Sequence, residues 1–270
     1  MPDQLNLSPT LDHIVILVSH DTLSSLPDQL KNILIVAPGG NHADGLTSNK
    51  LVLFKDGVYI EFIAFFNHVD AKQRSKHRWG NLKEGTVIDW AFTAPHGVDF
   101  ASIRQRVLNG DTGFMYEEPA HWGRKRADGV MLEWTLSAAR GTSEDVISPG
   151  WLPFWVFDIT PRNLRVPYAV EPAMTEHPSG VNGISSLSIL VPEQVLSSLV
   201  KTYAAIYGEN IPAVEGAEWG YEVPAGSNAG RQTISLLKGS PIPEVTIKMA
   251  FKGLNRGSVE LLPGLIVEIE

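Results

Sequence analysis

The sequence has no cysteine among its 270 residues, so there is no disulfide framework, no thiolate nucleophile and no cysteine-based zinc site. Any metal must be held by His, Asp, Glu or water. Positive charge is scarce: 22 Lys and Arg against 30 Asp and Glu give a formal net charge of −8. That argues against a nucleic-acid partner, because such binding rests on Lys and Arg neutralising phosphates. No apolar run approaches the roughly 20 residues needed to span a bilayer. The opening "MPDQLNLSPT" has neither the basic n-region nor the apolar h-region of a leader, so the expectation is a cytoplasmic protein without a membrane partner. Also missing are a G-x-S-x-G elbow, a G-x-x-x-x-G-K-[ST] phosphate loop, an H-E-x-x-H helix and a dinucleotide fingerprint. Hydrolase, kinase and dehydrogenase readings drop out with them.

What is present is enough apolar material for a large core: 43% hydrophobic residues against 19% charged. "LDHIVILV" (11–18) reads as a strand and "DTLSSLPDQLKN" as a short helix with an Asp cap. "ILIVAPGG", "SNKLVLF" and "GVYIEFIAFF" follow as strands separated by Gly, Asn and Asp-Gly turns. The order is βαβββ. After the polar stretch 67–85, a long connection or lid, a second unit runs from strand 86–94 through helix 98–108 to strands at 113–119, 129–137 and 152–160. A third unit has strand 184–191, helix 192–208 and strands near 220–224, 231–238, 244–250 and 264–269. The fold expected is α+β, with two modules over 9–163 and a third over 178–270.

Within "GVYIEFIAFF" (57–66) one carboxylate, Glu61, interrupts an apolar run. Burying it costs several kcal/mol of hydration unless a cation or hydrogen-bond donors replace the water. Overlaying the units puts Ser186 where His13 stands and Glu268 opposite Glu61. In the middle unit Asp89 takes the first-strand position and Asp158 the last-strand one.

The segments "LDHIVILV", "GGNHADGLTSNKLVLFKDGVYIEFIA" (39–64), "GRKRADGVMLEW" (123–134), "LPFWVFDIT" and "HPSGVNGISSLSILVPE" (177–193) resemble the glyoxalase-like domain family of the vicinal oxygen chelate superfamily. The resemblance implies curved mixed sheets around a cup-shaped cleft. It also implies metal ligands drawn from the first and last strands of modules, and a function among lyases, isomerases, dioxygenases and non-catalytic ligand-sequestering proteins. On that pattern His13 and Glu61 are the candidate metal ligands and catalytic residues, for Zn, Mn, Fe, Co or Ni. Ser186 departs from the pattern where a second His would strengthen the metal site, and Glu61 then serves as a general base. The alternative for the pair is a buried His satisfied by Glu61.

His42, Thr47 and Asn49 converge at a Gly-rich strand entrance and are candidate substrate contacts, or ordinary turn caps. Arg124 and Arg126 are candidate forks for a carboxylate or enolate, or part of a solvated hairpin. Trp134 is a candidate pocket wall, although most of the tryptophans are expected to be packing. The expected function is a lyase or isomerase acting on a small carbonyl, enol or vicinal-oxygen substrate. The alternatives are a sequestering protein and a ring-cleaving dioxygenase. Exposed strand edges suggest a homodimer.

Overall fold

All seven residues of "YIEFIAF" (Tyr59–Phe65) are buried, so this strand is covered on both faces and its alternation must be read inside against outside. A computed structural model describes residues 8–126, 128–143, 147–209, 216–226, 232–239 and 245–270. The first module is β1 (Thr10–Leu17), α1 (His20–Leu30), β2 (Ala37–His42), β3 (Thr47–Leu53) and β4 (Tyr59–Phe65). A one-turn helix α2 (Ala71–Arg74) lies in the polar connection. The second module is β5 (Thr86–Thr93), α3 (Phe100–Asn109), β6 (Phe114–Tyr116), β7 (Ala120–Arg126), β8 (Met131–Ser137), β9 (Ala139–Gly141) and β10 (Phe154–Asp158), followed by α4 (Arg162–Arg165).

The strands close into a barrel in the order β1-β4-β3-β2-β7-β8-β10-β5. β1 runs parallel to β4 and β5 parallel to β10. The antiparallel pairs β1–β5 and β2–β7 close the two seams. The β1–β5 seam has one extra residue on each strand, Asp12 and Ile88, placed symmetrically about the Ile14–Trp90 pair. A pseudo-twofold through that pair therefore relates His13 to Asp89, as the overlay of the units expects. The registers Val15↔Glu61 and Ala91↔Phe154 then relate Glu61 to Phe154 and correct the expectation that Asp158 takes that place.

The barrel wall is lined inside by Val15, Leu17, Ile63, Phe65, Ala91, Trp134, Phe154 and Val156. Its outer side chains, among them Ile14, Ile16, Ile60, Phe62, Trp90 and Trp155, join a second core with the helices. α1 sends in Leu23, Leu26 and Leu30 at helical spacing, starting from a Ser19 cap whose Oγ accepts from the Thr22 amide.

The rest of the chain completes that outer core. It comprises β11 (Val181–Val191), α5 (Glu193–Tyr207), β12 (Gly216–Gly220), β13 (Thr233–Lys238), β14 (Thr246–Gly253), β15 (Gly257–Leu262) and β16 (Leu265–Ile269). They form one sheet, β12-β13-β11-β14-β16-β15. β11 is parallel to β13 and β14 to β16, and β11 meets β14 antiparallel, an arrangement like the β1–β5 seam. Glu268 is exposed on β16, outside the barrel. No helix of the described residues is long and apolar enough to cross a membrane.

Gly150 joins the two bodies. Its φ of +86° is in the left-handed region, its N–H donates to Asp89 Oδ1 (3.1 Å) and its carbonyl accepts from Trp90 Nε1 (3.3 Å). A Cβ there would lie 2.7 Å from Ile247 Cδ1 of β14 and 3.0 Å from the Ile88 carbonyl. Gly150→Ala should cost about 2–4 kcal/mol in urea unfolding, from φ strain plus displaced packing. Gly85→Ala has a similar φ of +77° but nothing within 4 Å, and should cost only about 1 kcal/mol. Equal costs at the two positions would show that the Ile247 contact contributes nothing.

Candidate functional site

The barrel interior opens into a cavity of about 630 Å³, the size of a small-molecule site. Alternation along β4 turns Tyr59, Glu61 and Ile63 into it. Glu61 is only 6% exposed. No Lys or Arg forms an ion pair with it among the described residues. Its one hydrogen bond comes from an amide, Asn49 Nδ2 donating to Oε1 at 2.5 Å, and two imidazoles lie beside it, His42 Nε2 3.5 Å from Oε1 and His13 Nε2 3.6 Å from Oε2. The amide is fixed from behind. Asn49 Oδ1 accepts from the Gly40 N–H (3.0 Å), and a Cβ on Gly39 would fall 2.3 Å from that oxygen, so Asn49 lies across β2 only because glycine is there. His42 is held by Thr47 Oγ1 (2.8 Å). Burial, helped by Arg124, lowers the His42 pKa against the pull of Glu61, which keeps the ring neutral.

Below Glu61 lies an ionic cluster. The bulge in β1 turns Asp12 toward its neighbour, so that Asp12 Oδ1 meets His13 Nδ1 at 2.7 Å. The same carboxylate takes two hydrogen bonds from Arg165 (3.0 and 3.0 Å) and one from Arg162. Arg165 also forks onto Asp158 (2.6 and 2.8 Å) and donates to the Tyr59 hydroxyl (2.7 Å). Burial alone would raise the Asp12 pKa, but Arg162 and Arg165 hold it well below the usual carboxylate range. With Asp12 ionised, Nδ1 carries the His13 proton and Nε2 is left facing Glu61. The His13 ring stacks on Tyr59 at 4.6 Å.

The other half of the barrel is built differently. Asp89, the counterpart of His13, is saturated: Arg78 (2.8 and 2.7 Å) and Trp79 Nε1 (2.8 Å) bind Oδ2, and the amides of Trp90 and Gly150 (each 3.1 Å) bind Oδ1. Phe154, the counterpart of Glu61, has no donor atom. Arg124 lines the cavity at 4% exposure, and its guanidinium makes no hydrogen bond or ion pair with any described residue.

The metal implied by the sequence resemblance needs donors from both halves. Of the four first- and last-strand positions, two supply His13 and Glu61, one holds a saturated Asp89 and one a phenyl ring. No group of three His, Asp or Glu among the described residues could hold a metal ion. The described residues therefore do not form the four-donor site, drawn from both halves, that the resemblance implies.

Of the residues singled out in the sequence, His13, His42, Thr47, Asn49, Glu61, Arg124 and Trp134 all line the cavity. Arg126 does not. It turns to the Leu164 carbonyl (2.9 Å) and Asp128 (2.9 Å), beside a separate cavity of about 180 Å³. Asp158 is spent on Arg165. The sequence reading passed over Asp12, Tyr59, Arg78, Phe154, Arg162 and Arg165. Asp12 left a visible signal, a second polar residue inside the apolar run "LDHIVILV".

Removing the Asp12 charge strands two arginines. Asp12→Asn should cost about 3–5 kcal/mol in denaturant unfolding at pH 7. The pKa of Asp12 is depressed on folding, so its contribution is full above the ordinary carboxyl range and fades as pH falls through the folded-state value. The gap between wild type and variant should thus close only well below pH 4. A gap that shrinks between pH 7 and 5 would contradict the ionised cluster.

A family model described as a glyoxalase-like domain matches residues 11–207. A hypothetical protein from Staphylococcus aureus shares the overall fold at a TM-score of 0.64 and 15% identity, over 97% of this chain and 99% of that one. Methylmalonyl-CoA epimerase from Mycobacterium tuberculosis overlaps at a TM-score of 0.30 and 14% identity, over 50% of this chain and 82% of that one. A comparison with curated proteins finds no match. With a family model covering most of the barrel, its helices and the start of the second sheet, the chain belongs to the glyoxalase-like domain family of the vicinal oxygen chelate superfamily.

Proposed function

We propose that the chain catalyses proton transfer on a small carbonyl or enol substrate, in the isomerase or lyase class, with Glu61 as the base. One observation carries this reading: Glu61 lines the cavity, its Oε1 is pinned by Asn49, and its Oε2 accepts no hydrogen bond from any described residue. A carboxylate fixed on one oxygen and open on the other is suited to taking a proton from a carbon next to a carbonyl. The electron pair of that C–H bond moves to the carbonyl oxygen as an enolate. His13 Nε2, 3.6 Å from Oε2 and oriented by Asp12, is the second group able to exchange a proton with the substrate. Return of the proton to a neighbouring atom gives an isomer, and departure of a β-substituent gives a lyase product. Ile63, Trp134, Phe154 and Val156 give the carboxylate largely apolar surroundings.

The test is hydrogen exchange in D₂O, followed by NMR on a panel of small dicarbonyls, keto acids and hydroxy acids. Wild type should wash the acidic C–H out of at least one member. Glu61→Gln should slow this by about 10²-fold or more. Dialysis against a chelator should leave the rate unchanged. Exchange that survives Glu61→Gln, or that vanishes on dialysis and returns with a divalent cation, overturns the reading. Equal binding by wild type and Glu61→Gln with no exchange on any member would instead make the chain a sequestering protein.

A further inference from the structure

The cavity holds a buried cation, Arg124, that makes no hydrogen bond or ion pair with any described residue. Its other positive groups are spent or solvated: Arg78 on Asp89, Arg165 on Asp12 and Asp158, and Lys76 exposed at the mouth. Arg124 alone is buried without an acceptor among the described residues. Burial and the neighbouring Arg165 and Arg126 lower its pKa, against the pull of Tyr59 and Glu61. Its place is prepared by the sequence. Arg124 pairs across the β2–β7 seam with His42, and a Cβ on Gly40 would lie 3.2 Å from its Cγ and Nη1, so the glycine makes room for the stem. A charge left unpaired in an apolar wall costs several kcal/mol, and this one shares its cavity with Glu61.

We infer that Arg124 binds a carboxylate of the substrate, and that the body of that substrate is a flat apolar group held by Trp79, Trp134 and Phe154. A planar guanidinium presents paired N–H donors that match a carboxylate. Phe154, Leu136, Val156 and the two tryptophans offer ring faces and aliphatic surface on the same half of the barrel. Arg124 also borders the smaller cavity of about 180 Å³, but Asp128 and Glu171 line that one, and their carboxylates would repel an anionic substrate. The inference rests on the proton-transfer reading only in placing the reacting carbon near Glu61; the carboxylate contact itself is a matter of binding.

3-Phenylpropionate, its neutral twin 3-phenylpropionamide and propionate are suitable probes, measured by calorimetry and by quenching of tryptophan fluorescence. Wild type should bind the aryl acid at least tenfold more tightly than the amide and than propionate. Arg124→Met, which keeps the stem and removes the charge, should bind acid and amide equally, with the amide affinity unchanged as the sign of an intact pocket. If that variant does not fold, Arg124→Lys decides the matter, with a preference for the acid that is kept but reduced. Equal binding of acid and amide by wild type, binding of neither, an acid preference that survives in Arg124→Met, or full wild-type preference in Arg124→Lys overturns the inference. The same preference measured in Glu61→Gln separates the two claims. Loss of exchange with the acid preference intact supports both, and Glu61-dependent exchange without an acid preference sinks only the carboxylate.

Discussion

The site depends on one buried carboxylate, Asp12, which is fully buried and shared by His13, Arg162 and Arg165. Two carboxylates, Asp12 and Asp158, face two guanidiniums, Arg162 and Arg165, so the cluster is electrically balanced before Glu61 is counted. That balance has two effects. It ties the helix after β10 to the first strand, and Arg162 extends the tie to the Gly57 carbonyl at the turn before β4. It also fixes the His13 ring, because an ionised Asp12 accepts the hydrogen bond from Nδ1–H and leaves Nε2 toward Glu61.

Because the cluster uses its own cations, none is left over to neutralise Glu61. The carboxylate is held by one amide, with two imidazoles nearby, and the cavity's unpaired positive charge, Arg124, comes from another part of the wall. Opposite charges that share a cavity of low polarity without touching attract strongly. Here the strands fix their separation: Glu61 is on β4 against β3, and Arg124 is on β7 against β2. Glu61 and Arg124 thus enter one cavity from strands three places apart in the barrel order.

Much of the fold was legible because the strands of the first module are covered on both sides and read as short apolar runs, and because α1, α3 and α5 carry clean helical spacing. β7 was not legible. "AHWGRKR" is exposed at three of its seven positions and holds a glycine and three basic residues, so neither alternation nor β-branched content marks it. Yet it closes the barrel and delivers Arg124, and reading it as a hairpin left Arg124 and Arg126 indistinguishable. β15 escaped for a related reason: "GSVELL" lies at a sheet edge with its first half open to solvent. Glu61 and His13 were visible because a polar residue inside an apolar strand must be compensated. What compensates them was not, because Arg165 is 153 residues from Asp12 in sequence and meets it only through the barrel closure. The acid expected at Asp158 in the last-strand place failed for want of register, which the β5–β10 pairing sets on Phe154.

The two modules share one topology and divide the work. β1 to β4 supply His13, His42, Thr47, Asn49, Tyr59 and Glu61, most of the polar lining. β7, β8 and β10 supply Arg124, Trp134, Leu136, Phe154 and Val156, one cation and a set of apolar walls. A symmetric four-donor site would need the second half to repeat the first, and the pseudo-twofold shows where it does not: Asp89 is locked by Arg78, Trp79 and two backbone amides, and Phe154 replaces a donor with a ring. Asp89 is taken up by its own donors, and the ring at Phe154 packs edge-on against His13 at 5.3 Å. The half without free donors therefore supplies the apolar wall of the cavity, facing the half that carries His13 and Glu61.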